Sequence, residues 1–185
     1  MRKSMAAALA VILFAPFLSC ASGGTAAGPD IESARAYWES GNAHFNAGEL
    51  DLAIADYDEA IRIDPDYTFA YHNRGVAHSD RGNLDLAIAD YNRAIGLDPN
   101  DAMVYTNRGN AHRDGGNLDL AMADYNRAIS LDPDDADAYN NRGVAQYNLG
   151  NIDAAIEDWE AALRINPNYA QARANLGIAR RARGY

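Results

Sequence analysis

Between Ala34 and Tyr169 the chain writes one 34-residue unit four times in tandem, over 34–67, 68–101, 102–135 and 136–169. A period of this length restricts the possible folds to stacks, because one short supersecondary unit cannot bury its own apolar face and its neighbours must supply the core. Each copy carries a tyrosine near its start (Tyr37, Tyr71, Tyr105, Tyr139) and a glycine four residues later (Gly41, Gly75, Gly109, Gly143). An alanine follows (Ala53, Ala87, Ala121, Ala155), then an aromatic four residues on (Tyr57, Tyr91, Tyr125, Trp159). A second alanine (Ala60, Ala94, Ala128, Ala162) and a proline (Pro65, Pro99, Pro133, Pro167) complete the unit.

The spacing predicts two helices and two turns per unit. From Leu84 to Ile95 apolar residues recur at helical intervals with charges between them, which is an amphipathic helix. Gly48-Glu49, Gly82-Asn83, Gly116-Asn117 and Gly150-Asn151 separate the two helices. Asp64-Pro65, Asp98-Pro99, Asp132-Pro133 and Asn166-Pro167 end the second. Small glycines and alanines facing large aromatics give the complementarity a dense core needs. Residues 170–185 start as another first helix, with Asn175-Leu176-Gly177 in register, and then become Arg180-Arg181-Ala182-Arg183. This segment is expected to be a capping helix, its arginines complementing the helix dipole.

These positions closely match the tetratricopeptide repeat, and the resemblance covers residues 34–169. It implies an all-α fold, a right-handed superhelical solenoid of antiparallel helix pairs whose first helices line a concave groove. The family's function, binding a peptide segment of another protein in that groove, is implied with it. Two departures recur. The family's usual leucine before the glycine is Ser40, Arg74, Arg108 or Arg142, and its usual tyrosine three residues after it is His44, His78, His112 or Gln146.

On a first helix the tyrosine, glycine, histidine and the alanines at 43, 77, 111 and 145 form the packed stripe. The groove face then carries repeat positions two, five, six, nine, twelve and thirteen. Those positions hold the large side chains Trp38, Phe45, Phe69, Met103 and Tyr147, the cation Arg113, and Asn42, Asn73, Asn107, Asn110, Asn141 and Asn175. An asparagine amide offers one acceptor and two donors, enough to hold an extended backbone whatever its side chains. In the family, asparagines at these places commonly clamp the bound backbone; here they can equally be helix-surface residues bonding locally. The expected peptide-binding set is Asn42, Asn73, Asn107, Asn110 and Asn141 with Trp38, Phe69, Met103, Arg113 and Tyr147. The family's clamp for a C-terminal carboxylate needs lysines, and the matching positions here are Trp38 and Met103. An internal or hydrophobic segment is therefore the expected ligand.

Composition narrows the function further. With 16 basic against 26 acidic residues the net charge is -10, so no nucleic-acid partner is expected. One cysteine permits neither an intrachain disulfide nor a cysteine zinc cage. His44, His78 and His112 recur at the repeat period, but equivalent positions in stacked helices lie about 8–10 Å apart, too far to share a metal, so they are assigned to helix interfaces. Arg74, Arg108 and Arg142 recur with Asp56, Asp90, Asp124 and Asp158 and predict a charge ladder between helices. No nucleophile–base pairing, phosphate loop or metal spacing is present, so neither an enzyme nor a cofactor is expected.

The beginning of the chain reads as an address. Arg2 and Lys3 precede an uncharged stretch from Met5 to Leu18, followed by small residues, the three-part pattern of a bacterial secretory signal. Cleavage after Ala21 gives a periplasmic protein with a signal at 1–21. Alternatively Phe17-Leu18-Ser19-Cys20 resembles a lipoprotein box, giving a signal at 1–19, a lipidated Cys20 and an outer-membrane anchor in the cell envelope. Residues 22–33 are expected to be a flexible tether. The four repeats hold 10 basic and 24 acidic residues, and four arginines stand in the terminal segment. The alternative to a peptide-binding scaffold is accordingly a head-to-tail homo-oligomer, arginine-rich end on acidic first repeat.

Overall fold

The computed structural model describes residues 30–184, so the expected signal, the lipidation candidate Cys20 and most of the expected tether lie outside the described residues. Among the described residues there are nine helices and no strand. The first helices of the pairs are α1 (Ile31–Asn46), α3 (Thr68–Asp80), α5 (Ala102–Asp114) and α7 (Ala136–Asn148). The second helices are α2 (Leu50–Ile63), α4 (Leu84–Leu97), α6 (Leu118–Leu131) and α8 (Ile152–Ile165), and α9 (Ala170–Arg183) closes the stack. Helix α1 begins inside the segment expected to be tether. Asp30 caps it, its carboxylate accepting the Ser33 backbone N–H at 3.2 Å and hydroxyl at 2.5 Å.

The turns follow from glycine and proline chemistry. Gly48, Gly82, Gly116 and Gly150 have φ between 77° and 81°, a left-handed backbone that costs L side chains strain. The next residue's N–H then reaches back to the last turn of the first helix, as Asn117 does to His112 O at 2.8 Å. Each second helix stops at Asp64, Asp98, Asp132 or Asn166, extended because proline follows. The side chain at that place accepts the N–H two residues on, 3.0 Å from Asp132 to Asp134.

The core is a column of repeated contacts. A Cβ added at Gly109 would stand 2.7 Å from the Tyr125 ring, and at Gly75 and Gly41 it would stand 2.7 and 2.5 Å from Tyr91 and Tyr57. Only glycine lets the paired helix approach so closely. Ala77, Ala111 and Ala145 are fully buried against the preceding unit, whereas Ala43 is exposed because nothing precedes it among the described residues.

The charge ladder is present. Arg108 Nε and Nη2 donate to Asp124 Oδ2 and Oδ1 at 2.9 and 2.6 Å, while Nη1 donates to Asn92 Oδ1 at 2.6 Å. Arg142 repeats this with Asp158 and Asn126, and Arg74 with Asp90 and Asp58. One guanidinium therefore joins a first helix to its own second helix and to the one before. In the first unit the Ser40 hydroxyl makes the shorter link to Asp56 Oδ2 at 2.7 Å. His78 and His112 sit beside the same carboxylates, Nε2 4.0 Å from Asp90 and Asp124.

In α9 the ladder's arginine is replaced by Leu176, which is buried with Trp159. Its arginines fasten it to its own molecule: Arg180 pairs with Glu160 at 2.8 Å and Arg183 with Asp153. Two of the charges that a head-to-tail contact would use are therefore already engaged within the chain.

Candidate peptide-binding groove

Successive first helices touch one another, α1 with α3, α3 with α5, α5 with α7 and α7 with α9, whereas no pair of second helices does. The stack therefore curves, with the first helices on its inner side and the second helices splayed outward. The groove positions read from the repeat lie on that inner surface.

The asparagines are tied to one another as well as exposed to the groove. Asn73 Nδ2 donates to Asn42 Oδ1 at 2.6 Å, and the same oxygen accepts the Tyr57 hydroxyl at 2.8 Å. Asn110 Oδ1 accepts from the Tyr125 hydroxyl at 2.8 Å and from Arg113 Nη1 at 3.4 Å. Asn107 donates to His72 Nε2 at 2.8 Å, Asn175 to Asn140 Oδ1 at 3.3 Å, and Asn140 to Asn141 Oδ1 at 3.2 Å. Asn73, Asn107 and Asn175 thus each spend one hydrogen on the preceding repeat. That fixes their amide planes and leaves the carbonyl oxygen for a ligand, with one hydrogen more on Asn107 and Asn175, since the Asn73 amide also meets the Tyr57 hydroxyl. Asn141, used as an acceptor, keeps both hydrogens.

The expected apolar residues divide into two kinds. Phe69 and Met103 stand 56% and 62% exposed, large apolar groups held in water. Trp38 is half-buried, packed at 6.0–6.2 Å from the Phe69 and Tyr67 rings, and Tyr147 lies half-buried 6.0 Å from Trp159. Trp38 thus packs towards the second unit, and Tyr147 joins the cluster that α8 and α9 form at the end of the stack. Arg113 is partly exposed and paired with Asp114 at 2.9 Å.

His72, a groove position by register, is instead buried beneath the groove, 6.1 Å from the Tyr91 ring. Burial lowers its pKa from 6.5, opposed only in part by Asp101. The folded state therefore binds fewer protons than the unfolded one just below pH 6.5, so stability falls as pH drops from 6.5 towards the lowered folded value. Protonation at Nε2 also removes the acceptor for Asn107. Urea unfolding at pH 7.5 and pH 5 is expected to show a smaller loss of stability for His72→Gln than for the unaltered chain; equal losses would remove His72 from the acid response.

Four groove residues escaped the sequence reading. Asp132, Asp134, Asp135 and Asp137 line a concavity of about 640 Å³ with Met103, Asn107 and Asn110. Three of them lie in the Asp-Pro segment that reads only as a stop signal. Asp137 stands at repeat position two, a groove position, and its charge was the available clue.

The family description "TPR repeat" matches residues 41–80 and 109–150, and "Tetratricopeptide repeat" matches 68–101 and 136–169. A search of curated proteins finds no match. Among solved structures, MamA is 28% identical, with 83% of this chain and 84% of that chain aligned and a TM-score of 0.74. The first TPR of Spaghetti (RPAP3), solved with the HSP90 peptide SRMEEVD, is 27% identical over 64% of this chain and 94% of that one, TM-score 0.62. PilF of Pseudomonas aeruginosa, 22% identical over 82% of this chain and 69% of that one, shares the fold with a TM-score of 0.77. The fourfold period, the glycine–aromatic column, the curved stack and the matched residues together place this chain in the tetratricopeptide-repeat family.

Proposed function

We propose that this protein is a non-enzymatic, exported scaffold that holds an extended segment of a partner protein along its concave groove. The observation that carries this is the row of oriented amides, Asn73, Asn107 and Asn141, on consecutive first helices beside the water-exposed Phe69 and Met103. Amides with spare hydrogen-bonding capacity suit a peptide backbone, and stranded apolar groups suit its side chains. The repeat family is one of protein-interaction scaffolds, and the RPAP3 repeat domain was solved holding a peptide. Export is supported by the cationic start, the uncharged run from Met5 to Leu18 and the small residues around Cys20, the candidate for lipidation.

The test is affinity capture from the cell-envelope fraction, comparing the unaltered protein with Asn107→Ala/Asn141→Ala. The variant is expected to keep its helical circular dichroism and to recover its partner at least tenfold less well. Recovery of the same proteins in the same amounts by a folded double variant would sink the groove assignment.

A further inference from the structure

We propose that the partner segment is cationic, with a lysine or arginine side chain seated between Met103 and the carboxylates of Asp132, Asp134 and Asp137. This deepens the groove function above and rests on it.

The concavity of about 640 Å³ between α5 and α7 has no basic residue in its lining. Of its four carboxylates, Asp135 is used within the fold, capping α7 and accepting the Thr106 hydroxyl at 3.2 Å. Asp132 accepts only the Asp134 backbone N–H, and Asp137 only the Tyr169 hydroxyl. Among the described residues none of these aspartates is in an ion pair, and Arg113, a groove cation on α5, is already held by Asp114 and Asn110. Three uncompensated negative charges in one concave wall make a field that attracts cations and repels carboxylates.

The apolar neighbour selects which cation. Met103 is 62% exposed on the wall beside those carboxylates. Lysine and arginine join an apolar stem to a charged head, so one side chain can cover the thioether and reach the carboxylates. A small inorganic cation would leave Met103 in water, and a neutral side chain would desolvate the aspartates without compensation.

The other half of the groove offers a lining without charge. There a concavity of about 290 Å³ is lined by Phe45, Val76, Tyr57 and the amides of Asn42, Asn46 and Asn73. It suits a bulky apolar side chain. The two concavities are two repeats apart, roughly 20 Å at packed-helix spacing, which is about six residues of extended chain. The ligand is therefore a segment with an apolar anchor and a cation about six residues apart. SRMEEVD, the peptide on the RPAP3 repeat domain, carries three acidic side chains and is the opposite in charge.

The probe is a displayed library of random ten-residue peptides, selected on the immobilised full chain and on Asp134→Asn/Asp137→Asn. Peptides enriched by the unaltered protein are expected to carry Lys or Arg about six residues from a bulky apolar residue. They should bind the double variant at least tenfold more weakly, and bind the unaltered protein more weakly as salt rises. Enriched peptides without a cation, or with affinity unchanged in the variant, overturn the cationic assignment and leave the groove standing. If the unaltered protein enriches no peptide, the groove function itself falls and the cationic segment with it.

Discussion

Tyr125→Ala is expected to remove about 4 kcal/mol of stability, at the middle of the range for deleting a buried aromatic. The ring is fully buried and lies over Gly109, where even a methyl group would stand 2.7 Å from it. The vacated space therefore faces helix backbone, which cannot extend a side chain to fill it. The mutation also leaves Asn110 Oδ1 without the hydroxyl it accepts at 2.8 Å, which adds the smaller loss of one hydrogen bond. Tyr125→Phe separates the two effects, since it keeps the packing and should lose only about 1 kcal/mol. In a stack whose stability is a sum of units and nearest-neighbour interfaces, a defect at the α5–α6 pair weakens the join between its halves. Urea titration followed by circular dichroism should then broaden or split for Tyr125→Ala and stay cooperative for Tyr125→Phe. A loss under 2 kcal/mol for the alanine variant would mean that the site collapses, against the expectation from a rigid glycine-lined wall.

The same column explains why so much of the fold was legible in the sequence. Gly109 and Tyr125 have no freedom to drift, because a larger residue at one or a smaller at the other opens or closes the helix spacing. Gly116 is held by its left-handed backbone and Pro133 by the extended residue it imposes before it. Each punctuates the chain by local sterics, so each can be read without knowing the neighbours. The Arg108–Asp124 ladder was equally readable because its charges recur with the period. What depended on curvature was not readable. His72 and Asn140 occupy groove register but are buried, because neighbouring first helices approach closely enough to cover them. The amides of Asn73 and Asn107 reach across to the preceding repeat for the same reason. The aspartates at 132, 134 and 137 meet Met103 and Asn107 in one concavity only because α7 packs beside α5, and the sequence separates them into a turn and a helix start.

Arg108→Ala is the second large effect, at about 4 kcal/mol, because it strands a buried charge. The Asp124 side chain is 7% exposed, against 20% for Arg108. Removing the arginine leaves a carboxylate with little access to water, and the other ion-pair partner it has among the described residues is the His112 ring at 4.0 Å. Removing Asp124 instead leaves a guanidinium that keeps Asn92, the face of Tyr105 at 5.5 Å and some water, so Asp124→Ala should lose less, about 3 kcal/mol. The double variant Arg108→Ala/Asp124→Ala removes both charges and should be less destabilised than the two single losses added together. Because Arg108 binds α5 to both α6 and α4, its loss also loosens the join to the preceding unit. Peptide binding, measured below the unfolding transition, should change less than twofold, since the guanidinium is committed between helices rather than offered to the groove. If Arg108→Ala leaves stability within 1 kcal/mol of the unaltered chain and abolishes peptide binding, the arginine belongs to the ligand and the ladder is not what holds the stack together.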